Sequence, residues 1–414
     1  MSTKTTESQN NQFRKNFIWN LIGTTTNTLT SLMYMILITR LNGLEEAGVF
    51  SFAFSNACVL AVIGMYMGRT YQVSSTVYSE KVFLQTRKVT CALMTAVSAG
   101  MILIYGYPAQ KAVVFLSWTL VKTLEAFADV LYAVLQRHDR LDCEGKSLTM
   151  KALLSITVFT VLDLLFRDIL IASVGVLAAS LLVLLTWDLS NYRKYRNPAA
   201  SWTVKECKEV FGEGAFICAT TLLASYLVNA AKYAINSGGT DSDQAVYGIL
   251  VMPATAMNLV GQYLIQPFLM KISYQYHQKQ AKEFVRSVLL MEGVLIGIGA
   301  VGILCAGTIG IPILSLVYGV GLSEYRGELM LVMAGAICYG STTILTNILT
   351  VMNRNRIQTV CFAVLSLAVL VISGRIVKIG GIAGAVSVYF GSMLCAFLTL
   401  AFITFKNLKK EKFL

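Results

Sequence analysis

Charge is scarce in this chain, and so are histidines, catalytic motifs and long polar segments. Only 14% of its 414 residues are Asp, Glu, Lys or Arg, against about a quarter in a soluble domain, which excludes a water-soluble globular fold. The two histidines, His138 and His277, lie far apart in polar connections, and no HExxH, GxSxG or Walker-type loop occurs. The usual constellations for hydrolysis, metal binding and nucleotide binding are therefore missing, and the expectation is a protein that is not an enzyme and has no cofactor or metal. The nine cysteines contain no CxxC pair and read as small packing residues rather than disulfides or metal ligands. No cleavable signal peptide is expected either: the first 16 residues are polar, and the first apolar run is too long for an h-region.

What fills the chain instead is hydrocarbon. Residues of the AVILMFWYC set make up 56% of it. Twelve apolar stretches, at 17–39, 47–67, 89–107, 109–135, 148–166, 169–188, 212–236, 245–270, 287–307, 327–352, 357–377 and 380–405, each approach the roughly 20 residues that cross a hydrocarbon core of about 30 Å. The expected fold class is all-α integral membrane, with twelve transmembrane helices.

The formal net charge of +12 reports topology before it reports a partner. Only Arg40, Lys111, Arg167, Arg326, Arg375 and Lys378 fall on one side of these spans, while Lys122 and Lys232 fall inside them. Every other basic residue lies on the side that holds both termini and the 68–88, 136–151, 189–211 and 271–286 loops. That asymmetry places both termini in the cytoplasm and removes the reason to invoke nucleic acid. Membrane lipids, with anionic headgroups near the basic loops, are the expected surroundings.

The longest polar connection, 189–211, has six spans before it and six after, which divides the chain into an N-terminal lobe, 1–200, and a C-terminal lobe, 201–414. The halves share a layout. Ala47-Gly48-Val49-Phe50 opens a helix that is followed by Arg87, and Ala245-Val246-Tyr247-Gly248 opens one that is followed by Arg286 at nearly the same distance. Each half has an even number of spans, so the two read as pseudo-symmetric six-helix lobes related by an axis along the membrane normal, around a central cavity.

Polar residues fall in stripes. Asn20, Thr24, Asn27 and Ser31 recur at offsets of 4, 3 and 4 in the first span, and Ser225, Asn229, Lys232 and Asn236 repeat those offsets in the seventh. Such spacing puts each set on one helix face. The eighth span carries Thr255, Asn258, Gln262 and Gln266, and the second carries Ser51 and Ser55 on a face that continues to Tyr66 and Arg69. Polar faces in a bilayer must meet other helices or a wet cavity. Either ordinary interhelical hydrogen bonds or a cavity shared by the first and seventh spans accounts for them. Lys232 at mid-depth costs about 2.5–3.5 kcal/mol on insertion scales. It is either half of an ion pair or a cavity cation that receives an anionic substrate. In the fourth span Lys122, Glu125, Asp129, Tyr132 and Gln136 form another stripe in which Lys122 and Glu125 can pair at i, i+3. It reads as a structural network or as a site where Glu125 or Asp129 binds a coupling H⁺ or Na⁺. Asp163 near Arg167, and Glu292 near Arg286, read as structural pairs.

The stretch Arg14-Lys15-Asn16-Phe17-Ile18-Trp19-Asn20-Leu21-Ile22-Gly23, with Ile38-Thr39-Arg40-Leu41 and Ala47-Gly48-Val49-Phe50-Ser51-Phe52-Ala53, resembles the polysaccharide transporter family. These are the O-antigen and capsule repeat-unit flippases of the multidrug/oligosaccharidyl-lipid/polysaccharide exporter superfamily. Asp129 and the segment Gln136-Arg137-His138-Asp139-Arg140-Leu141-Asp142 are similar to that family as well. The likeness is clearest over 12–150. It implies a cavity lined by helices 1, 2, 7 and 8, and alternating access that carries an undecaprenyl-diphosphate-linked oligosaccharide across the cytoplasmic membrane, with glycan-assembly proteins as candidate partners. The chain departs from relatives with several cavity arginines: it offers Lys232 in mid-helix, with Arg40 and Arg69 near helix ends. Candidate substrate-binding residues are Lys232, Asn229, Asn236, Ser225, Asn20, Thr24, Asn27, Ser31, Arg40, Arg69, Asn258 and Gln262. The alternatives are a multidrug antiporter of the same superfamily, which would be expected to place a carboxylate in its cavity, and a polytopic glycan polymerase or ligase, which would need a larger outer loop than 308–326.

Overall fold

A computed structural model of the chain describes residues 2–75, 77–352 and 354–410, with side chains described for all of these except 2–11, 13, 70, 74, 258–267, 269 and 270. Twelve long helices account for almost all of it. They are α1 (Ser2–Leu41), α2 (Leu44–Met65), α3 (Glu80–Tyr105), α4 (Ala109–Arg137), α5 (Leu141–Phe166), α6 (Ile169–Tyr195), α7 (Val204–Gly238), α8 (Asp241–His277), α9 (Ala281–Tyr318), α10 (Arg326–Val351), α11 (355–380) and α12 (382–410), with a short helix Gly68–Ser74 after α2. Among the described residues no strand occurs. The chain is a multi-pass all-α membrane protein.

Local chemistry explains where these helices stop. Gly106 ends α3 in the left-handed region at φ 60°, and Pro108 opens the way into α4. Asp168 caps α6 by accepting the Leu170 N–H at 2.7 Å, and Thr240 and Asp243 form a reciprocal capping box at the start of α8. Gly381 (φ 54°, ψ −131°) breaks an otherwise continuous helical run into α11 and α12. Several helices extend beyond the apolar spans: α3 begins at Glu80, α5 at Leu141 and α7 at Val204. Hydropathy marks the lipid-immersed part of a helix, and these charged ends continue the same hydrogen-bond ladder into the aqueous layer. One-residue π-type widenings interrupt α6 at Leu184–Asp188 and α9 at Ala306–Gly310.

Packing divides the chain into two compact units, Met1–Cys218 and Ala219–Leu414. The division falls inside α7 rather than at residue 200 in the loop. The cause is that the first turns of α7 pack with the first unit, where Tyr66 Oη donates to the Phe211 carbonyl at 2.6 Å and Tyr78 Oη donates to Glu213 at 3.1 Å. In the first unit α1 lies along α5, and α4 packs against α2, α3 and α6. At its centre Tyr34, Phe50, Trp118 and Phe159 are buried edge-to-face, with ring centroids 5.0–6.1 Å apart, the geometry that aromatic quadrupoles favour. In the second unit α10 is the hub, packed against α8, α9, α11 and α12.

Candidate functional site

In the first unit the α1 stripe is half-buried along its length. Thr24 Oγ1 donates to Asn20 Oδ1 at 2.9 Å and Ser31 donates to the Thr28 carbonyl at 3.2 Å, so the helix satisfies most of these groups itself. The half-buried Asn27 amide makes no hydrogen bond to any described residue. Arg40 is exposed in the last turn of α1, away from the others.

The charges of α4 are paired. Lys122 Nζ lies 2.7 Å from Glu125 Oε2, the i, i+3 pair expected from spacing, and 5.0 Å from the Phe54 ring centroid. Asp129 is held from both sides, with Arg69 Nε 3.0 Å from Oδ1 and Arg87 Nη2 3.2 Å from Oδ2. Arg69 also pairs with Glu144. Arg87 gives another hydrogen bond to the Gly64 carbonyl at 3.1 Å. A second buried group lies nearby: Lys151 Nζ is 2.6 Å from Asp188 Oδ2, to which Tyr132 Oη also donates, while Ser147 Oγ donates to Oδ1. These clusters tie the short helix, α3, α4, α5 and α6 together. Burying charges in matched pairs costs far less than burying any one alone. Arg69 thus sits in a carboxylate network rather than on the α1 stripe, and Glu125 and Asp129 both have cationic partners.

Sequence reading missed Arg87, Glu144, Lys151 and Asp188, because their partners are on other helices, tens of residues away. The π-type turn that contains Asp188 is likewise invisible to periodicity.

In the second unit Ser225, Asn229, Lys232 and Asn236 lie half-buried on the side of α7 opposite the buried Leu227, Ala230 and Ala234. Asn229 Nδ2 donates to the Ser225 carbonyl at 3.0 Å. Tyr226 and Tyr233 stack 5.6 Å apart beside the stripe, with rings 10° from parallel. Lys232 is the only charged residue of α7 between Gly214 and Gly238. Asn258 and Gln262, and with them Gln266, lie outside the residues whose side chains are described.

The unit also holds a cavity of about 250 Å³ on another face of α7, between Thr220, Thr221 and Val228 and the α10 residues Tyr339, Thr343 and Asn347. It lies about 110° around α7 from the Lys232 stripe. Thr342, Thr343 and Thr346 donate to carbonyls of their own helix at 2.8–3.0 Å, so the wall they offer is largely methyl and ring. Sequence reading passed over this cavity; the available signal was the run of Ser341, Thr342, Thr343, Thr346 and Asn347 in α10.

Two expected pairs are replaced by others. Asp163 accepts from Asn42 Nδ2 at 2.6 Å, while Arg167 donates to the Leu41 carbonyl at 2.8 Å. Glu292 accepts from Ser341 on α10, not from Arg286, because six residues place Arg286 about 120° around the helix.

Comparison with protein-family models and with curated proteins finds no match. Solved structures do match. A mutant form of the Vibrio cholerae MATE transporter VcmN superposes with a TM-score of 0.63 at 13% identity, covering 99% of both chains. The lipid II flippase MurJ in its inward closed conformation gives 0.70 at 13% identity over 93% of this chain and 87% of that one. A multidrug resistance MATE family transporter of the MOP superfamily, inward-facing, gives 0.64 at 14% identity over 95% and 99%. At such low identity these likenesses speak for architecture alone, and the architecture of this chain is the helical membrane fold shared by MATE transporters and the MurJ lipid II flippase.

Proposed function

We propose that this protein is a flippase that moves a lipid-linked oligosaccharide, on an undecaprenyl-diphosphate carrier, across the cytoplasmic membrane by alternating access for surface polysaccharide synthesis. Both termini face the cytoplasm in this reading. The observation that carries it is the character of the α7 stripe: a lysine among asparagines and a serine, with no acidic residue between Gly214 and Gly238. Amides and hydroxyls can replace water around a sugar. Lys232 matches a diphosphate in charge, and a lipid tail needs no site deep in the protein if it stays in the bilayer. The fold likeness to a protein whose printed name is lipid II flippase supports movement of a lipid-linked substrate, and the sequence resemblance over 12–150 supports the glycan class.

The second reading is a multidrug antiporter, favoured by MATE transporters that match over 99% of their length. A pump for organic cations needs an available carboxylate. In the first unit Glu125 and Asp129 are paired with Lys122, Arg69 and Arg87, so neither is available there, and the one charge on the α7 stripe is positive. A deletion strain separates the readings. The flippase account expects lipid-linked oligosaccharide to accumulate on the inner leaflet with drug sensitivity unchanged, and the reverse outcome selects the antiporter.

A further inference from the structure

Among the described residues Glu292 is an acid with no matching base. It lies eleven residues into α9, about 16 Å along the helix from Ala281, inside the apolar span. Its Oε2 accepts a hydrogen bond from Ser341 Oγ at 2.6 Å, and Ser341 is buried on α10. Its Oε1 is buried as well and has no hydrogen-bond partner among the described residues.

The helices packed on α9 are α8 and α10, and neither brings a counter-charge to this depth. No Asp, Glu, Lys or Arg occurs in 244–270 of α8, in 329–351 of α10, or elsewhere in 287–318 of α9. The titratable groups on these stretches are neutral ones: Cys338 and Tyr339 on α10, Tyr247 and Tyr263 on α8, and Cys305 and Tyr318 on α9. Charged groups begin only at the helix ends, with Lys271 on α8, Arg354 beyond α10, and Arg286 on α9 itself, about 120° around the helix. Among the described residues Glu292 has no ion-pair partner, in contrast to Glu125, Asp129, Glu144 and Asp188.

An unpaired carboxylate in such surroundings is costly, and a proton is the smallest ligand that removes the charge. We infer that Glu292 is a reversible proton-binding site, and that in transport it supplies the coupling proton. The second clause rests on the transport reading above, and the first does not. Ser341 donates to Oε2 whichever state the other oxygen is in, so a proton can leave and return at Oε1 without breaking that bond. The carboxylates proposed from sequence for this task, Glu125 and Asp129, are fixed by nearby cations. Glu292 is not.

The test is labelling of the purified protein with dicyclohexylcarbodiimide, an apolar reagent that attacks protonated carboxyl groups within membranes, read by peptide mass spectrometry across a pH series. The expected result is modification at Glu292 that falls as pH is raised, with Glu125 and Asp129 unmodified. Ser341→Ala, which removes the donor to the anion, should move the half-labelling point to higher pH. Labelling that is absent from Glu292, or that does not change with pH, overturns the proton site. For the coupling role, Glu292→Gln in vesicles should retain substrate exchange and lose its acceleration by a pH gradient; retained acceleration overturns that role. Failure of the wild-type protein to move any lipid-linked oligosaccharide, with Glu292 labelling intact, would instead reject the proposed substrate.

Discussion

Arg87 and Asp129 meet at 3.2 Å between α3 and α4, where the arginine side chain is only 6% exposed. Asp129→Ala leaves that guanidinium buried without its anion and should destabilise the protein by about 3–5 kcal/mol. The measurement is thermal unfolding in detergent. Replacing the pair together, Arg87→Met with Asp129→Leu, should cost clearly less than Asp129→Ala alone, and equal losses would show that the charges are not coupled.

The backbones of α1 and α5 touch at two glycines. A Cβ on Gly145 would lie 2.1 Å from the Trp19 carbonyl oxygen, and one on Gly23 would lie 2.3 Å from the Gly145 carbonyl oxygen. Gly145→Val therefore forces the helices apart and should cost at least the roughly 1–3 kcal/mol of overpacking, visible as lost expression or a lowered unfolding temperature. Gly391→Ala on α12, where a Cβ meets nothing within 4 Å, is the tolerated control.

At the start of α5, Asp142 is buried beside Arg140 (2.9 Å), Lys15 (3.5 Å) and Lys146 (3.7 Å). Burial alone would raise its carboxyl pKa, but the Arg140 hydrogen bond and the surrounding positive charge outweigh that and lower it below the ordinary value. A carboxyl lowered by folding contributes stability that is complete above its unfolded pKa of about 4 and is lost as pH falls through the folded value. Asp142→Asn should therefore be less stable than wild type at neutral pH, and the gap should close in acid. A gap that is constant with pH would contradict the assignment.

Lys232→Ala should abolish surface glycan at normal protein levels, and Lys232→Arg should largely preserve it, because the role asked of the side chain is a positive charge at mid-depth. Glycan staining against an immunoblot checks this. Full export by the alanine variant removes Lys232 from the site.

Much of the architecture was legible before any coordinates. Apolar runs near 20 residues marked the twelve helices because the bilayer sets that length, and the Lys122–Glu125 pair followed from helical spacing. What escaped was chemistry between distant segments. Lys151 looked like a loop cation until α5 proved to begin at Leu141 and α6 to carry Asp188 alongside it. Nothing in the sequence tells Asp129 that Arg69 and Arg87 both face it, and hydropathy could not see that the first turns of α7 pack with the preceding helices. Glu292 was misassigned for the converse reason. Nearness in sequence to Arg286 suggested a pair that helix geometry forbids.

The most direct test of the account is movement of the substrate itself. Purified protein in vesicles, supplied with a fluorescent undecaprenyl-diphosphate oligosaccharide, should move it between leaflets faster than protein-free vesicles do, as read by quenching of the exposed fluorophore. The acceleration should vanish with Lys232→Ala and persist with Lys232→Arg. A rate no higher than in protein-free vesicles, from protein that exports a cationic dye in the same preparation, would contradict the account.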